Sequence, residues 1–380
     1  LAVAAAGLLS NAAPGALTVT GLHCEYLPSP QGLDEPRPRL GWVVESPERG
    51  QRQTAFRILV ASSAAALAEE RGDLWDSGRV AGDATAQVVY AGRPPASRQA
   101  CFWKVKAWDR DGAESDWSAP ASWTMGLLAP ADWTAQWIAF PDGSPVHADR
   151  TRLHLPPARH YRRAFAAAKP VARATLHASV LGIADFHLNG RRVSDDFFAT
   201  GWADYAKRAH ARAWDVTALV RPGTNAVGAV VADGWYAGYV GYGLLVGYGP
   251  HRTGRNFYGR TPALLAQLEV EYADGTRETV GTDPTWQVSG DGPIREADFI
   301  MGEAYDARRE RADWCSPGGA ADWRWEGAVP AAANGPAKAP FSDGLGTREV
   351  DLGFRAPPRL QAYAAPPVRV TQELDRKSVV

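Results

Sequence analysis

The sequence predicts an all-β chain built from two consecutive sandwiches. Three observations lead there. Apolar residues recur with period two, not 3.6, as in Phe56, Ile58 and Val60. Turn signals such as Asn189-Gly190 and Ala273-Asp274-Gly275 separate the alternating runs. Long helical periodicity is almost absent, and Ala64–Arg71 is the best short helix.

Leu1–Leu9 (LAVAAAGLL) is an apolar run of signal-peptide core length. The small residues of Ser10–Ala16 follow, where a signal peptidase would cut. Residues 1–16 are therefore expected to be the remnant of a leader, or a disordered start, and export to the periplasm or outside is expected. Residues 17–126 form the first β unit. Within it Trp103, Val105 and Ala107 oppose Phe102, Lys104 and Lys106. Cys101–Met125 reads as strand, Asp-Gly turn, strand, the last hairpin of a fibronectin type III-like or immunoglobulin-like sandwich. Residues 127–157 form a connector with Trp133, Trp137 and Pro141.

Residues 158–330 form a second, larger β unit. Leu264, Ala266, Leu268, Val270 and Tyr272 alternate with Gln267, Glu269 and Glu271, which predicts one buried and one hydrated face. Thr276–Val280 returns as its partner strand. Asn189-Gly190, between Phe186-His187-Leu188 and Arg191-Arg192-Val193, suits a type I′ turn, because both residues tolerate positive φ. Residues 331–380 open on Ala, Pro and Gly, as linkers do. Pro366-Pro367-Val368-Arg369-Val370 then reads as the truncated start of a further β domain.

Composition excludes several classes of function. The 380 residues include 15 Trp and 10% aromatics, enough to bury a core, so the chain is not predominantly disordered. Its 41 basic and 42 acidic residues leave a net charge of −1, without the basic field of a nucleic-acid binder. No stretch reaches the roughly 18 apolar residues of a membrane span. Cys24, Cys101 and Cys315 give neither a disulfide framework nor zinc-ligand spacing, although a Cys24–Cys101 bridge is open to an exported protein. There is no Gly-x-Ser-x-Gly elbow, Walker loop or His-Glu-x-x-His motif. The eight His do not cluster, and Gly241-Tyr242-Gly243 lacks the βαβ context of a dinucleotide site.

What remains is aromatics and carboxylates on loops. Gly201–Tyr205, Asp233–Tyr239 and Gly302–Arg308 stand out. A sugar offers apolar C–H faces and hydroxyl edges, so its site needs an aromatic platform beside planar hydrogen-bonding groups. Trp202, Trp235 and Tyr236 are candidates for the platform; Asp204, Glu303 and Asp306 are candidates for the hydroxyls or for calcium, which prefers oxygen ligands. The competing assignment makes the Trp residues core filler and the carboxylates partners of Arg308 or Arg309. Asp195-Asp196 is not read as a catalytic pair, because neighbours on a strand point to opposite faces.

A series of short blocks, in order, gives the chain a family likeness. They include Asp34–Trp42 (DEPRPRLGW), Thr54–Ser62 (TAFRILVAS), Gly72–Val80 (GDLWDSGRV) and Phe102–Ser118 (FWKVKAWDRDGAESDWS). Trp133–Ile138 (WTAQWI), Leu188–Val193 (LNGRRV), Gly201–Tyr205 (GWADY) and Trp214–Leu219 (WDVTAL) follow. Arg221–Ala226 (RPGTNA), Asp233–Gly238 (DGWYAG), Gly302–Arg308 (GEAYDAR) and Pro366–Leu374 (PPVRVTQEL) complete the set. Together they resemble the N-terminal, non-catalytic part of bacterial α-L-rhamnosidases of glycoside hydrolase family 78.

The resemblance implies an immunoglobulin-like or fibronectin-like domain, then a jelly-roll sandwich, then another β domain and a helical (α/α)₆ barrel. Such enzymes release terminal α-L-rhamnose from plant glycosides and polysaccharides with inversion, using one carboxylic acid and one carboxylate base. That pair belongs to the barrel, so no catalytic residue is assigned in this span and the span alone is expected to be inactive. The implied partners are rhamnose-containing glycans and the chain's own catalytic domain, with a homodimer left open. No cofactor is required by the resemblance, and calcium in the jelly roll is admitted. Two rivals stand beside this expectation. A stand-alone carbohydrate-binding or adhesion protein would end in a stop codon after Val380. A pure structural brace would bury Trp202 and Trp235.

Overall fold

A computed structural model of the chain describes residues 17–141, 155–240, 256, 258–298, 300–335, 338–342, 347–351 and 353–374. Residues 1–16, expected to be a leader remnant or a disordered start, and the Gly/Tyr-rich loop with Gly241-Tyr242-Gly243 lie outside the described residues. The chain divides into two compact units, Leu1–Leu128 and Ala129–Val380. The structure is nearly all β, as the period-two pattern predicts.

In the first unit, Thr18–Cys24, Arg39–Glu45 and Val88–Val89 form one antiparallel sheet. Ala55–Ala61 pairs with Ala100–Trp108, which pairs with Ala121–Thr124, in the other sheet. The core lies between them. Trp42 and Val19 come from the first sheet; Ile58, Trp103, Val105 and Trp123 come from the second. Trp103 and Trp123 are fully buried, and truncating either is expected to cost about 3–5 kcal/mol. Strand Ala55–Ala61 is buried on nearly every residue, since Leu59 and Ala61 meet the short helix Ala64–Ala68 on the outer face. Ser63 caps that helix by accepting from the Ala66 amide at 3.1 Å. Cys24 and Cys101 share this core as free thiols.

In the second unit, one sheet runs Arg191–Arg192, Ile183–Leu188, Gly223–Ala232, Arg159–Ala167, Gln287–Ser289, Glu326–Gly327. The facing sheet runs Val329–Pro330, Ile138–Ala139, Ala263–Tyr272, Val171–Leu181, Ala209–Asp215, Leu360–Ala362, with Arg277–Gly281 also on Ala263–Tyr272. Leu176, Val180, Leu264 and Leu268 from one sheet meet Phe186, Val227 and Val231 from the other, and Trp286 closes the space between them. Asn189 and Gly190 both adopt positive φ, 52° and 79°, as the tight hairpin requires.

Two expectations change in three dimensions. The alternation of Ala263–Tyr272 predicts Gln267 in water, yet Gln267 is fully buried. The start of the second unit runs over it: its carboxamide oxygen accepts from the Thr134 amide at 2.7 Å and the Ala135 amide at 3.2 Å, and its nitrogen donates to Asp132 O at 2.9 Å. The segment read as a linker is also integrated into the unit. Leu360–Ala362 adds a parallel strand beside Ala209–Asp215.

A second apolar layer covers the outer face of the Arg159–Ala167 sheet. Trp314, Cys315 and Trp323 pack there with Ala226. His160 lies between Trp314 and Trp323, with both ring centroids 4.8 Å away, and His187 meets Trp314 at 5.0 Å. Both His Nδ1 atoms are buried without a hydrogen-bond partner among the described residues. Burial first, then the neighbouring His187 and Arg295 charges, holds His160 down to about 3; burial and Arg192 hold His187 down to about 4.

Candidate functional site

Two loops from one sheet bring three aromatic side chains together. The first leaves the Arg191–Arg192 strand and runs through residues 193–202. Its Ala199 is tied back to the sheet by the Ala184 amide, which donates to Ala199 O at 2.7 Å. The second is the helical turn Gly234–Ala237, which starts where the Gly223–Ala232 strand ends. Gly234 has φ 50°, and a Cβ there would stand 2.8 Å from Gly182 and Ile183, so the turn fits tightly on the sheet.

Trp202 and Trp235 face each other with nearly parallel rings, centroids 6.2 Å apart and an interplanar angle of 3°. Phe198 meets Trp235 edge-on at 5.9 Å. Trp202 is 52% exposed and Phe198 42%, while Trp235 is half-buried. The brace alternative required both Trp residues to be buried, and Trp202 is not. Phe198 holds a φ of 56°, a region bulky residues avoid at a cost on the order of 1–3 kcal/mol. That strained backbone delivers its ring to the surface.

The remaining sequence candidates fall into different places. Tyr236 is buried at the base of the turn, 5.3 Å edge-to-face from Tyr205, which in turn meets Tyr258 at 5.1 Å. Burial pushes the Tyr236 phenol up to about 12. Tyr236 therefore supports the platform from below instead of meeting a ligand. Asp204 accepts from the Ala206 amide at 3.2 Å and pairs with Lys207 at 3.2 Å. Asp306 caps the short turn Ala307–Arg309 and pairs with Arg308 at 2.8 Å; that hydrogen-bonded guanidinium holds its carboxyl down to about 2. Glu303 is exposed on the strand Gly302–Tyr305. No hydrogen bond or ion pair joins Asp204 to Glu303 or Asp306 among the described residues. Nor do any three His, Cys, Asp or Glu side chains there form a group able to hold a metal. Asp204, Glu303 and Asp306 are thus not gathered into one ligand set among the described residues.

Three residues with local roles were not among the sequence candidates. Phe198 joins the platform. Its signal was the pair Phe197-Phe198 after two Asp, which a polar loop has no need to carry. Asp298 is buried and organises the neighbouring hairpin: it accepts from the Tyr239 amide at 2.8 Å and from the Ile300 and Met301 amides at 2.9 Å. Asp196 is buried beside Arg212 at 3.0 Å, whereas Asp195 is exposed. The two residues lie outside any strand, and both carboxylates meet Arg369 Nε at 2.9 Å, so the side chains converge on one guanidinium where the strand-based expectation had them on opposite faces.

The arrangement offers exposed aromatic surface, from Trp202 and Phe198, beside the half-buried Trp235. Such a surface suits the C–H face of a sugar ring, which sheds water against an indole while its hydroxyls stay hydrated or reach nearby polar groups.

Comparison with known proteins gives a consistent family. Residues 169–372 match the family model "Alpha-L-rhamnosidase N-terminal domain", and residues 19–129 match "Rha78A-like, N-terminal immunoglobulin domain". An α-L-rhamnosidase of Streptomyces avermitilis is 33% identical over 80% of this chain and 44% of its own length. One from Formosa agariphila is 34% identical over 76% of this chain and 30% of its own. The crystal structure of the Streptomyces avermitilis enzyme complexed with L-rhamnose superposes with a TM-score of 0.73 at 32% identity, covering 83% of this chain and 45% of that one. The native Aspergillus terreus enzyme superposes with a TM-score of 0.75 at 27% identity, over 93% of this chain and 36% of that one. The chain thus spans less than half the length of these curated relatives. With a match across more than half of its residues, it belongs to the α-L-rhamnosidase N-terminal domain family.

Proposed function

We propose that this chain is the accessory β portion of an inverting α-L-rhamnosidase that acts on rhamnose-containing plant glycosides or polysaccharides, and that Trp202, Trp235 and Phe198 form a carbohydrate-binding platform. The half-exposed Trp202 set parallel to Trp235 supports this most strongly. An indole of that size left in water loses burial that it would gain in a core, and a ligand face restores it. Catalysis is assigned to a separate part of such an enzyme, and this chain's part is to present or retain substrate. We also propose export, on the leader-like run Leu1–Leu9. Among the described residues no helix is long and apolar enough to cross a membrane.

The test is calorimetric titration of the 380-residue chain with L-rhamnose, first with calcium and then with a chelator. Saturable heat that disappears in Trp202→Ala supports the platform. Loss of that heat with chelator would add calcium to the site. Absence of binding in both conditions, on folded protein, or equal binding by Trp202→Ala, overturns it.

A further inference from the structure

Asp196 sits where the platform loop meets the segment 359–370. Its side chain is 2% exposed, and each of its two oxygens has charged or donating partners. Oδ1 accepts from Arg369 Nε at 2.9 Å. Oδ2 faces Arg212 Nη2 at 3.0 Å and accepts from Trp214 Nε1 at 3.3 Å. Its carbonyl accepts from Arg192 Nη2 at 3.0 Å. Arg369 also reaches Asp195 at 2.9 Å. Three guanidiniums, those of Arg192, Arg212 and Arg369, thus converge on Asp196, and hydrogen bonds to charged groups are the stronger kind.

The segment 359–370 is also bound to this loop and to the strand Ala209–Asp215. The Phe197 amide donates to Val368 O at 2.9 Å. Leu360–Ala362 pairs with Ala209–Asp215, and the Tyr363 amide donates to Ala211 O at 2.9 Å. The Tyr363 ring takes the Arg212 guanidinium at 5.0 Å and His210 edge-on at 5.3 Å. Gly201, next to Trp202, has φ 95°, and a Cβ there would stand 2.7 Å from Tyr363 Cε2. The Tyr363 ring therefore fills the space directly behind the residue that precedes Trp202.

We infer that Asp196 is a positioning residue for the aromatic platform: through Arg369 it clamps the strap 359–370 against the loop 195–202, so that docking of the strap sets where Phe198 and Trp202 stand. This rests on the carbohydrate-platform proposal for its affinity consequence, and on the contacts above for the coupling.

The test compares the full 380-residue chain with Arg369→Ala, Arg369→Lys and Trp202→Ala by hydrogen exchange and by L-rhamnose calorimetry. Arg369 is half-exposed, so its removal avoids the folding defect that Asp196→Asn would risk by leaving Arg212 buried and uncompensated. In Arg369→Ala, amides of both 359–370 and 195–202 are expected to exchange roughly tenfold faster, the loss expected for a charge-assisted pair. Amides of Ala263–Tyr272 should be unchanged. Rhamnose affinity should fall severalfold, and Arg369→Lys should recover part of both effects. Trp202→Ala should lose binding while the strap stays protected. The inference is overturned if the strap opens in Arg369→Ala while 195–202 keeps wild-type protection, or if neither segment responds. If the wild-type chain binds no rhamnose, the carbohydrate proposal fails, yet the exchange of 195–202 still decides the coupling.

Discussion

Acidification should weaken the second unit before its carboxylates begin to titrate. His160 and His187 are buried neutral beneath Trp314 and Trp323, and their folded pKa values, about 3 and about 4, lie below the ordinary 6.5. The unfolded chain therefore binds protons first. Stability is fully present above pH 6.5, falls as the pH drops through that value, and stops falling only below the folded pKa values. Each histidine contributes a slope of up to about 1.4 kcal/mol per pH unit within that window. Integrated over the whole window, His160 alone accounts for on the order of 5 kcal/mol. The two contributions do not simply add, since His187 is itself one cause of the His160 shift. Set against a typical 5–15 kcal/mol for a domain, this is enough to bring unfolding near pH 4. The assay is urea unfolding followed by Trp fluorescence at half-unit steps from pH 7 to 4.5. His160→Leu removes one titrating group at similar volume. It will lower stability at pH 7 by lost aromatic contacts, so the slope is the readout, not the baseline. The variant should keep about half the wild-type slope between pH 6.5 and 4.5. An unchanged slope would refute the assignment of acid sensitivity to this aromatic layer.

Gln267→Leu should destabilise the second unit by about 2–4 kcal/mol, because the Thr134 and Ala135 amides lose their buried acceptor; thermal melts of the two proteins check it. Cys24, Cys101 and Cys315 should resist a thiol reagent in the native protein and react on unfolding. All three are buried, and burial pushes the Cys101 and Cys315 thiols up to about 12. Rapid native labelling of any one of them would count against the packing described.

Much of the fold was legible because it is local. Period-two alternation is a property of the extended backbone, so Ala55–Ala61, Ala100–Trp108 and Ala263–Tyr272 could be read directly. The Asn189-Gly190 turn is equally local, since positive φ favours those residues. The ordered motif blocks pointed to the family that the comparisons identify. Trp202 and Trp235 were singled out as residues, but not as a pair.

What the sequence left undecided depends on partners distant along the chain. Alternation cannot tell that Gln267 is covered, because its cover comes from residues 132–135. Trp202 and Tyr236 look alike as loop aromatics, yet one is exposed and the other buried, a difference set by which loops pack beside Tyr205 and Tyr258. Asp195 and Asp196 are chemically identical neighbours. Only the arrival of Arg212 from one strand and Arg369 from 173 residues downstream makes Asp196 a buried ionic hub. Local backbone preference determined the strands and turns of this protein; the surface that a ligand would meet was decided by long-range packing, because exposure belongs to the folded chain and not to any residue in it.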